Sequence, residues 1–565
     1  MPADAQIHVG SMALPTGPVT QQRPTVDVLG YGIRLAILCA FAAMAAMSWT
    51  RSINWDEFYF LSHVHAHLDG RLDRPLQTVF VHAFGWLAGV SGHEVDQIVA
   101  ARLVMLGFFA ASCVALHKIA TALADKTSAD VAVLAFVTSG FAIAHGSSFR
   151  ADPMAAGLLM GAVAIMMTTR MSILHVLAVA VLSALALLVT VKSALYLPVY
   201  IAALVWRWGE RGIILRCLGA GVVALVIAAV VFSWHASGIT AGVGAGAKDN
   251  LGEAARVTLG GSGFLPRWPE VSLWMLFSIG ALVLAAASLH AATNNRFRAV
   301  LVLFAFPILS VVLYRNAYPY FFPFAVPALM VAVAVGSQAL RGGLLWRLAV
   351  VLMLAGGFMQ TQRASSEGNA LQQATLSEVH RIFPEPVTYI DQNGMVSSFE
   401  RVGFFMSTWG IATYRAAGRP VFAELIERHQ PPLLLANRAE LYAALRPQEG
   451  ETQALGLLVE DARTLRNSYV HHAGAIWLAG DDIMLSEGRG VAELPFAGEY
   501  RIESIKPVTL KGRLVVPGDV VSLEGGAVEI QGTPGTTVRV IWHTRAGPSQ
   551  VTLSETGLYA GFWRL

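Results

Sequence analysis

Cysteine is nearly absent from this chain of 565 residues. The three copies, Cys39, Cys113 and Cys217, fall inside apolar segments, where a free thiol behaves as a small hydrophobe. None occurs beyond Cys217, so no disulfide framework braces the C-terminal part, which has to stand on its own apolar core. Charge is scarce too. Charged residues make up 14% of the chain against 55% hydrophobic ones, which excludes an ordinary soluble composition. A net charge of +3 is too small to point to nucleic acid. Residues 1–29 hold no apolar run and are Pro- and Thr-containing, which predicts a disordered tail and not a cleavable signal peptide.

What the chain does have is apolar runs of spanning length. They recur near 31–49, 97–117, 129–146, 153–169, 173–190, 194–206, 213–234, 271–290, 299–314, 318–336 and 345–360, predicting about eleven transmembrane helices. With a cytoplasmic N-terminus, every even connection is basic: Lys118 and Lys126, Arg170, Arg207 with Arg211 and Arg216, Arg296 with Arg298, and Arg341 with Arg347. That is the positive-inside pattern. The odd connections then face outward with a different set: Asp56 and Glu57, Arg150 and Asp152, Lys192, the long 235–270 loop, and Arg315. The region after 362 lies outside as well. The expected organisation is a polytopic α-helical membrane protein in four parts: the tail, a membrane domain over 30–362, an α/β region over 363–490, and a β-sandwich-like module over 491–565.

Trp55-Asp56-Glu57 directly follows the first apolar run. A carboxylate beside hydrocarbon costs several kcal/mol unless solvated or paired, so two together read as functional against the blander reading of a solvated loop. Residues 56–69 and 75–90 are too short to span yet apolar enough for amphipathic helices along the interface, with the 70–75 turn between them. His63, His65 and His67 alternate; in a helix only His63 and His67 share a face, at the spacing of helical zinc sites. Interfacial snorkelling among aromatics is the preferred reading of them. The 235–270 loop is glycine-rich, with Lys248 and Asp249, but lacks the strand-then-helix context of a nucleotide fingerprint. It reads as a lid or as a plain connector.

The acidic pair, the interfacial segments and the Arg74-Pro75-Leu76 turn resemble the GT-C membrane glycosyltransferases, most closely the bacterial lipid A aminoarabinose and galacturonic acid transferases and the protein O-mannosyltransferases. Arg150-Ala-Asp152-Pro153, Val191-Lys192-Ser193 and Tyr318-Pro-Tyr-Phe-Phe-Pro323 agree in order and side. The resemblance covers roughly 30–360. The sequence departs from the family in having Phe58, Tyr59 and Phe60 where an Arg is usual, Arg74 in place of a Lys, and Ser193 in place of a Gly. A WWDYG-type motif, the mark of oligosaccharyltransferases, is absent.

The resemblance implies a bacterial inner-membrane enzyme with a periplasmic C-terminus. It implies transfer of one sugar from a polyprenyl-phosphate donor to a lipid-linked or envelope glycan acceptor. The acceptor hydroxyl must lose a proton as it attacks the anomeric carbon, and Asp56 is the first choice of base, with Glu57 and Asp152 as the other acids. The leaving phosphate needs cations, for which Lys192, Arg150, Arg74 and Arg315 are candidates, with Tyr318 beside them. Asp152 orients the acceptor, pairs with a cation, or shares a metal with Asp56. Cofactor demand stays open between none and a divalent metal on Asp56, Asp152, His63 and His67. Two rival functions are an envelope polymer polymerase or ligase, for which clustered outer arginines would be expected, and a transporter, for which mid-bilayer charge pairs and inverted repeats would be expected.

Past the membrane domain the pattern changes. A helix over 365–382, a strand at 387–390 ending in Asp391, helices near 397–409 and 420–429, and a strand after Pro432 suggest an α/β unit. From about 498 the period becomes two, with regular turns, as in a small sandwich. Trp542, Tyr559 and Trp563 there are either core or a sugar-stacking surface.

Overall fold

The computed structural model describes residues 28–239, 263–446, 456–547, 549 and 551–559. The N-terminal tail, most of the glycine-rich loop with Lys248 and Asp249, and Trp563 lie outside the described residues.

Each predicted apolar segment is helical, but not each is one long rod. Among the described residues, six helices are long and apolar enough to cross a membrane: Leu29–Thr50, Glu94–Thr121, Ala151–Thr168, Arg211–Ser237, Pro319–Leu340 and Leu344–Ser365. Two further segments are bent pairs, Trp268–Phe277 with Ile279–Ala291 at 84° and Asn295–Phe304 with Phe306–Val312 at 51°. The second bend falls beside Pro307, which has no N–H to continue the ladder. The remaining segments are short helices, Lys126–Thr138, Ile173–Val189 and Leu197–Trp206. This is a multi-pass membrane protein in which short and broken helices are used freely, as is tolerated where neighbouring helices enclose them.

Phe322–Leu340 is the central helix, packed against Ile279–Ala291, Lys126–Thr138 and Ala151–Thr168. Gly336 lets it approach closely: a Cβ there would lie 1.8 Å from the Leu284 carbonyl oxygen. Of the two predicted interfacial helices, the first is Trp55–Leu68. It starts where it does because Asn54 caps it, with Oδ1 accepting from Asp56 N (2.9 Å) and Glu57 Oε1 accepting from Asn54 N (3.0 Å). The second shrinks to one helical turn, Val81–Phe84, followed by a 3-10 turn, Gly85–Gly89; glycine at both ends of that turn disfavours a longer helix.

In the soluble part, strand Thr388–Ile390 pairs in parallel with Glu400–Val402 and with Leu433–Leu435, giving the expected α/β core. The helix expected over 397–409 is not there. Residues 400–402 are drawn into the sheet, and the helix begins at Thr408, where Ser407 Oγ accepts from Gly410 N at 3.0 Å. The long strand Ile476–Met484 belongs to both soluble modules. Its first residues pair with Leu433–Leu435 and its later ones with Thr537–Ile541, so one eight-stranded sheet runs through both. A four-stranded sheet, Arg489–Leu494, Gly526–Gln531, Val508–Leu510 and Arg513–Val515, completes the second module. Trp542 packs between Phe496 and Tyr500 as part of its core.

Candidate functional site

Four of the charges expected on the outer side converge into one chain of ion pairs. Asp56 stands in the first turn of Trp55–Leu68. Arg150 precedes helix Ala151–Thr168, and Asp152 is in its first turn, where the helix dipole favours a carboxylate. Lys192 comes from the 3-10 turn Val191–Tyr196, whose start is fixed by Thr190 Oγ1 accepting from Lys192 N at 3.3 Å. Arg150 donates to Asp56 through Nη1 and reaches Asp152 Oδ2 through Nε at 3.4 Å. Lys192 Nζ donates to the other oxygen of Asp152. The order is Asp56, Arg150, Asp152, Lys192, with alternating sign and almost no exposure. Aromatic faces close the group: the Arg150 guanidinium lies 3.5 Å from the Tyr320 ring centre, and Lys192 Nζ lies 5.9 Å from those of Phe321 and Phe324. Burial pushes the Asp56 carboxyl above its ordinary value against the opposing pull of Arg150.

Glu57 is placed differently. Both its oxygens are occupied, Oε1 and Oε2 accepting from Arg102 Nη2 (2.7 Å) and Nε (2.8 Å), and Oε2 also from Phe149 N (2.8 Å). Arg102 spends its other donors on the carbonyls of Arg51 (2.9 Å) and Ser52 (3.0 Å). Burial alone would raise the Glu57 carboxyl, but Arg102 outweighs it and holds it at about 2. Glu57 therefore ties the helix start to Glu94–Thr121 and has no lone pair turned to a substrate.

The other predicted cations sit apart from the chain of pairs. Arg315 lies over the ring of Trp409, whose Nε1 donates to Asn316 Oδ1 at 3.0 Å. Arg267, which sequence reasoning missed, donates to the Tyr318 hydroxyl and covers its ring at 3.9 Å. Its Nε also donates to the Arg315 carbonyl at 3.2 Å. Neither Arg267 nor Arg315 forms an ion pair among the described residues. Arg74 is half exposed and donates to Asp73 (3.1 Å) and to the Tyr59 hydroxyl (3.2 Å).

The proposed metal set does not come together. His63 packs on Tyr59 at 4.3 Å, and burial with Arg74 nearby holds it at about 3. His67 packs 4.4 Å from His82, which in turn bonds His235 at 3.0 Å. His65 is taken by Gln97 at 2.8 Å. Asp56 and Asp152 already hold Arg150 and Lys192, so these residues do not fit a divalent cation. Among the described residues, no group of three or more His, Cys, Asp or Glu is arranged to hold a metal ion.

Comparison with known proteins yields the fold. No protein-family model matches the sequence, and none of the curated proteins matches it. Solved structures do. ArnT from Cupriavidus metallidurans bound to undecaprenyl phosphate superposes with a TM-score of 0.53 at 15% identity, covering 74% of this chain and 95% of that one. The same protein in the apo state gives 0.52 at 14% identity, over 75% and 96%. The Archaeoglobus fulgidus oligosaccharyltransferase gives 0.51 at 10% identity, over 87% and 76%. The chain has a GT-C-like fold, a helical membrane domain carrying a soluble C-terminal domain.

Proposed function

We propose that this protein is an integral membrane glycosyltransferase. It moves a monosaccharide from a polyprenyl-phosphate donor to a lipid-linked or envelope glycan acceptor on the periplasmic face of the bacterial inner membrane. The observation that carries this reading is the buried run Asp56, Arg150, Asp152 and Lys192, gathered from three separate elements. Its support in the comparisons is that a structure sharing the fold holds undecaprenyl phosphate.

Asp56 is the base. Its carboxylate takes the proton of the acceptor hydroxyl while that oxygen bonds to the anomeric carbon, and the bond from that carbon to the phosphate oxygen breaks. Arg150 holds Asp56 and is itself shared with Asp152, so the carboxylate is steered rather than neutralised outright. The departing phosphate gains charge, which Lys192 stabilises at one side and Arg267 and Arg315 at the other. Glu57 acts as a strut and Asp152 as the anchor of Lys192. The outward orientation rests on the Lys and Arg excess of the even connections.

The test is a panel of undecaprenyl-phosphate-linked sugars offered to detergent-purified protein, with release of undecaprenyl phosphate as the readout. Release from at least one donor in the wild type and none from Asp56→Asn is expected. No release from any donor, with envelope lipids supplied as acceptors, overturns the reading.

A further inference from the structure

The soluble module holds the backbone on both sides of Asp56. Ahead of it, Gln372 brackets Ile53. Gln372 Oε1 accepts from Ile53 N (2.8 Å), while Nε2 donates to the carbonyls of Ile53 (2.8 Å) and Leu558 (2.7 Å). Immediately before Asp56, Asn393 Nδ2 donates to the Trp55 carbonyl at 2.5 Å. Just after it, Ser397 Oγ donates to the Phe58 carbonyl at 3.3 Å.

The gripping groups are locked in their turn. Asn393 Oδ1 accepts from the Tyr559 hydroxyl (2.9 Å) and from Asn437 Nδ2 (3.1 Å). Asp391 accepts from the N–H groups of Asn393 (3.0 Å), Gly394 (2.8 Å) and Met395 (2.7 Å), and from Asn437 Nδ2 (3.0 Å). Gln372 is 1% exposed and Asn393 and Asp391 are 0%. A buried polar network is tolerated only when its members are satisfied, and a satisfied one is rigid. This one converges on the peptide groups of Ile53, Trp55 and Phe58, on either side of the adjacent carboxylates Asp56 and Glu57. Plain docking of the module is served elsewhere, where Asn369 bonds the Trp49 (2.8 Å) and Thr50 (3.0 Å) carbonyls at the end of the first helix.

We infer that Asn393 and Gln372 are positioning residues that set the Asp56 carboxylate for proton abstraction, so that the soluble module is part of the catalytic geometry. This rests on the reading of Asp56 as base. A displacement of about 1 Å in such a group is enough to cost roughly 10²-fold in rate.

The experiment uses the full-length chain in detergent. It compares Asn393→Ala, Gln372→Ala, Asn369→Ala, Tyr559→Phe and Asp56→Asn. The readouts are kcat and KM with the undecaprenyl-phosphate sugar that the wild type accepts, the Kd for undecaprenyl phosphate, and hydrogen exchange of the peptide covering 52–60. Asn393→Ala and Gln372→Ala are expected to lower kcat about 10- to 100-fold, leave KM and Kd within about 2-fold, and speed exchange in that peptide. Asn369→Ala is expected to keep kcat within about 2-fold. Tyr559→Phe removes one orienting bond to Asn393 and keeps the core, so its few-fold fall in kcat decides the matter if the alanine variants fail to fold. Wild-type kcat in Asn393→Ala or Tyr559→Phe, or an equal loss in Asn369→Ala, overturns the inference. Wild-type turnover in Asp56→Asn is a separate result: it overturns the reading of the base, and the inference with it.

Discussion

Glu57 and Arg102 face each other with both side chains at 0% exposure, joined by two parallel N–H···O bonds of 2.7 and 2.8 Å. A fully desolvated pair of this kind contributes little net stability when intact but is expensive to break, because the remaining charge is left buried. Glu57→Ala is therefore expected to destabilise the protein by about 3–5 kcal/mol. Thermal unfolding of detergent-purified protein measures this, and an unchanged midpoint contradicts the strut role. The pH dependence follows from the depressed carboxyl, at about 2 against an ordinary 4.5. Its stabilisation is fully present above the unfolded value and is lost as pH falls from there through the folded one. Glu57→Gln removes that particular slope.

Asp56→Asn is expected to reduce transfer by about 10²–10⁴-fold. Because burial raises the Asp56 carboxyl, the acid limb of kcat/KM lies above the ordinary carboxylate value. Activity rises with pH through that limb as the base ionises. A pH–rate profile checks this; retention of activity in Asp56→Asn moves the base elsewhere.

Lys192→Ala is expected to lower kcat by roughly 10²–10³-fold through loss of a charge acting on the leaving phosphate. Lys192→Arg retains part of that rate, since charge is kept and geometry altered. Both variants and the wild type are expected to be indifferent to a chelator. Equal rates in wild type and Lys192→Ala exclude the phosphate role, and complete loss on chelation reinstates a metal.

Topology is checked by labelling. Glu524 is exposed in the second soluble module, and Cys39 is the exposed native thiol. In a Cys39→Ala background, Glu524→Cys is expected to react with an impermeant maleimide in intact spheroplasts. Protection until permeabilisation reverses the orientation.

The membrane half of the site was legible because charges are rare there. Asp56, Arg150, Asp152 and Lys192 each interrupt or bound an apolar run, and the connection parity put them on one face. Arg102, which stands inside the apolar run of Glu94–Thr121, carried the same sign of the Glu57 strut and went unread. Arg267 carried no such sign, since a loop arginine beside Pro and Trp is unremarkable until Tyr318 folds under it. The helix misread over 397–409 failed for a tertiary reason: Glu400–Val402 has no strong strand propensity and is recruited by Thr388–Ile390. Gln372 and Asn393 were invisible because what they do is decided by backbone from a distant part of the chain.

The latch between Asn393 and Tyr559 also has a consequence in time. Trp55 and Asp56 are made long before Leu558 and Tyr559, which complete the grip on Gln372 and Asn393. Contacts of such sequence separation form late, after the local helices are in place. A nascent chain with its membrane helices inserted thus carries Asp56 without its final backbone setting, which comes in a late assembly step.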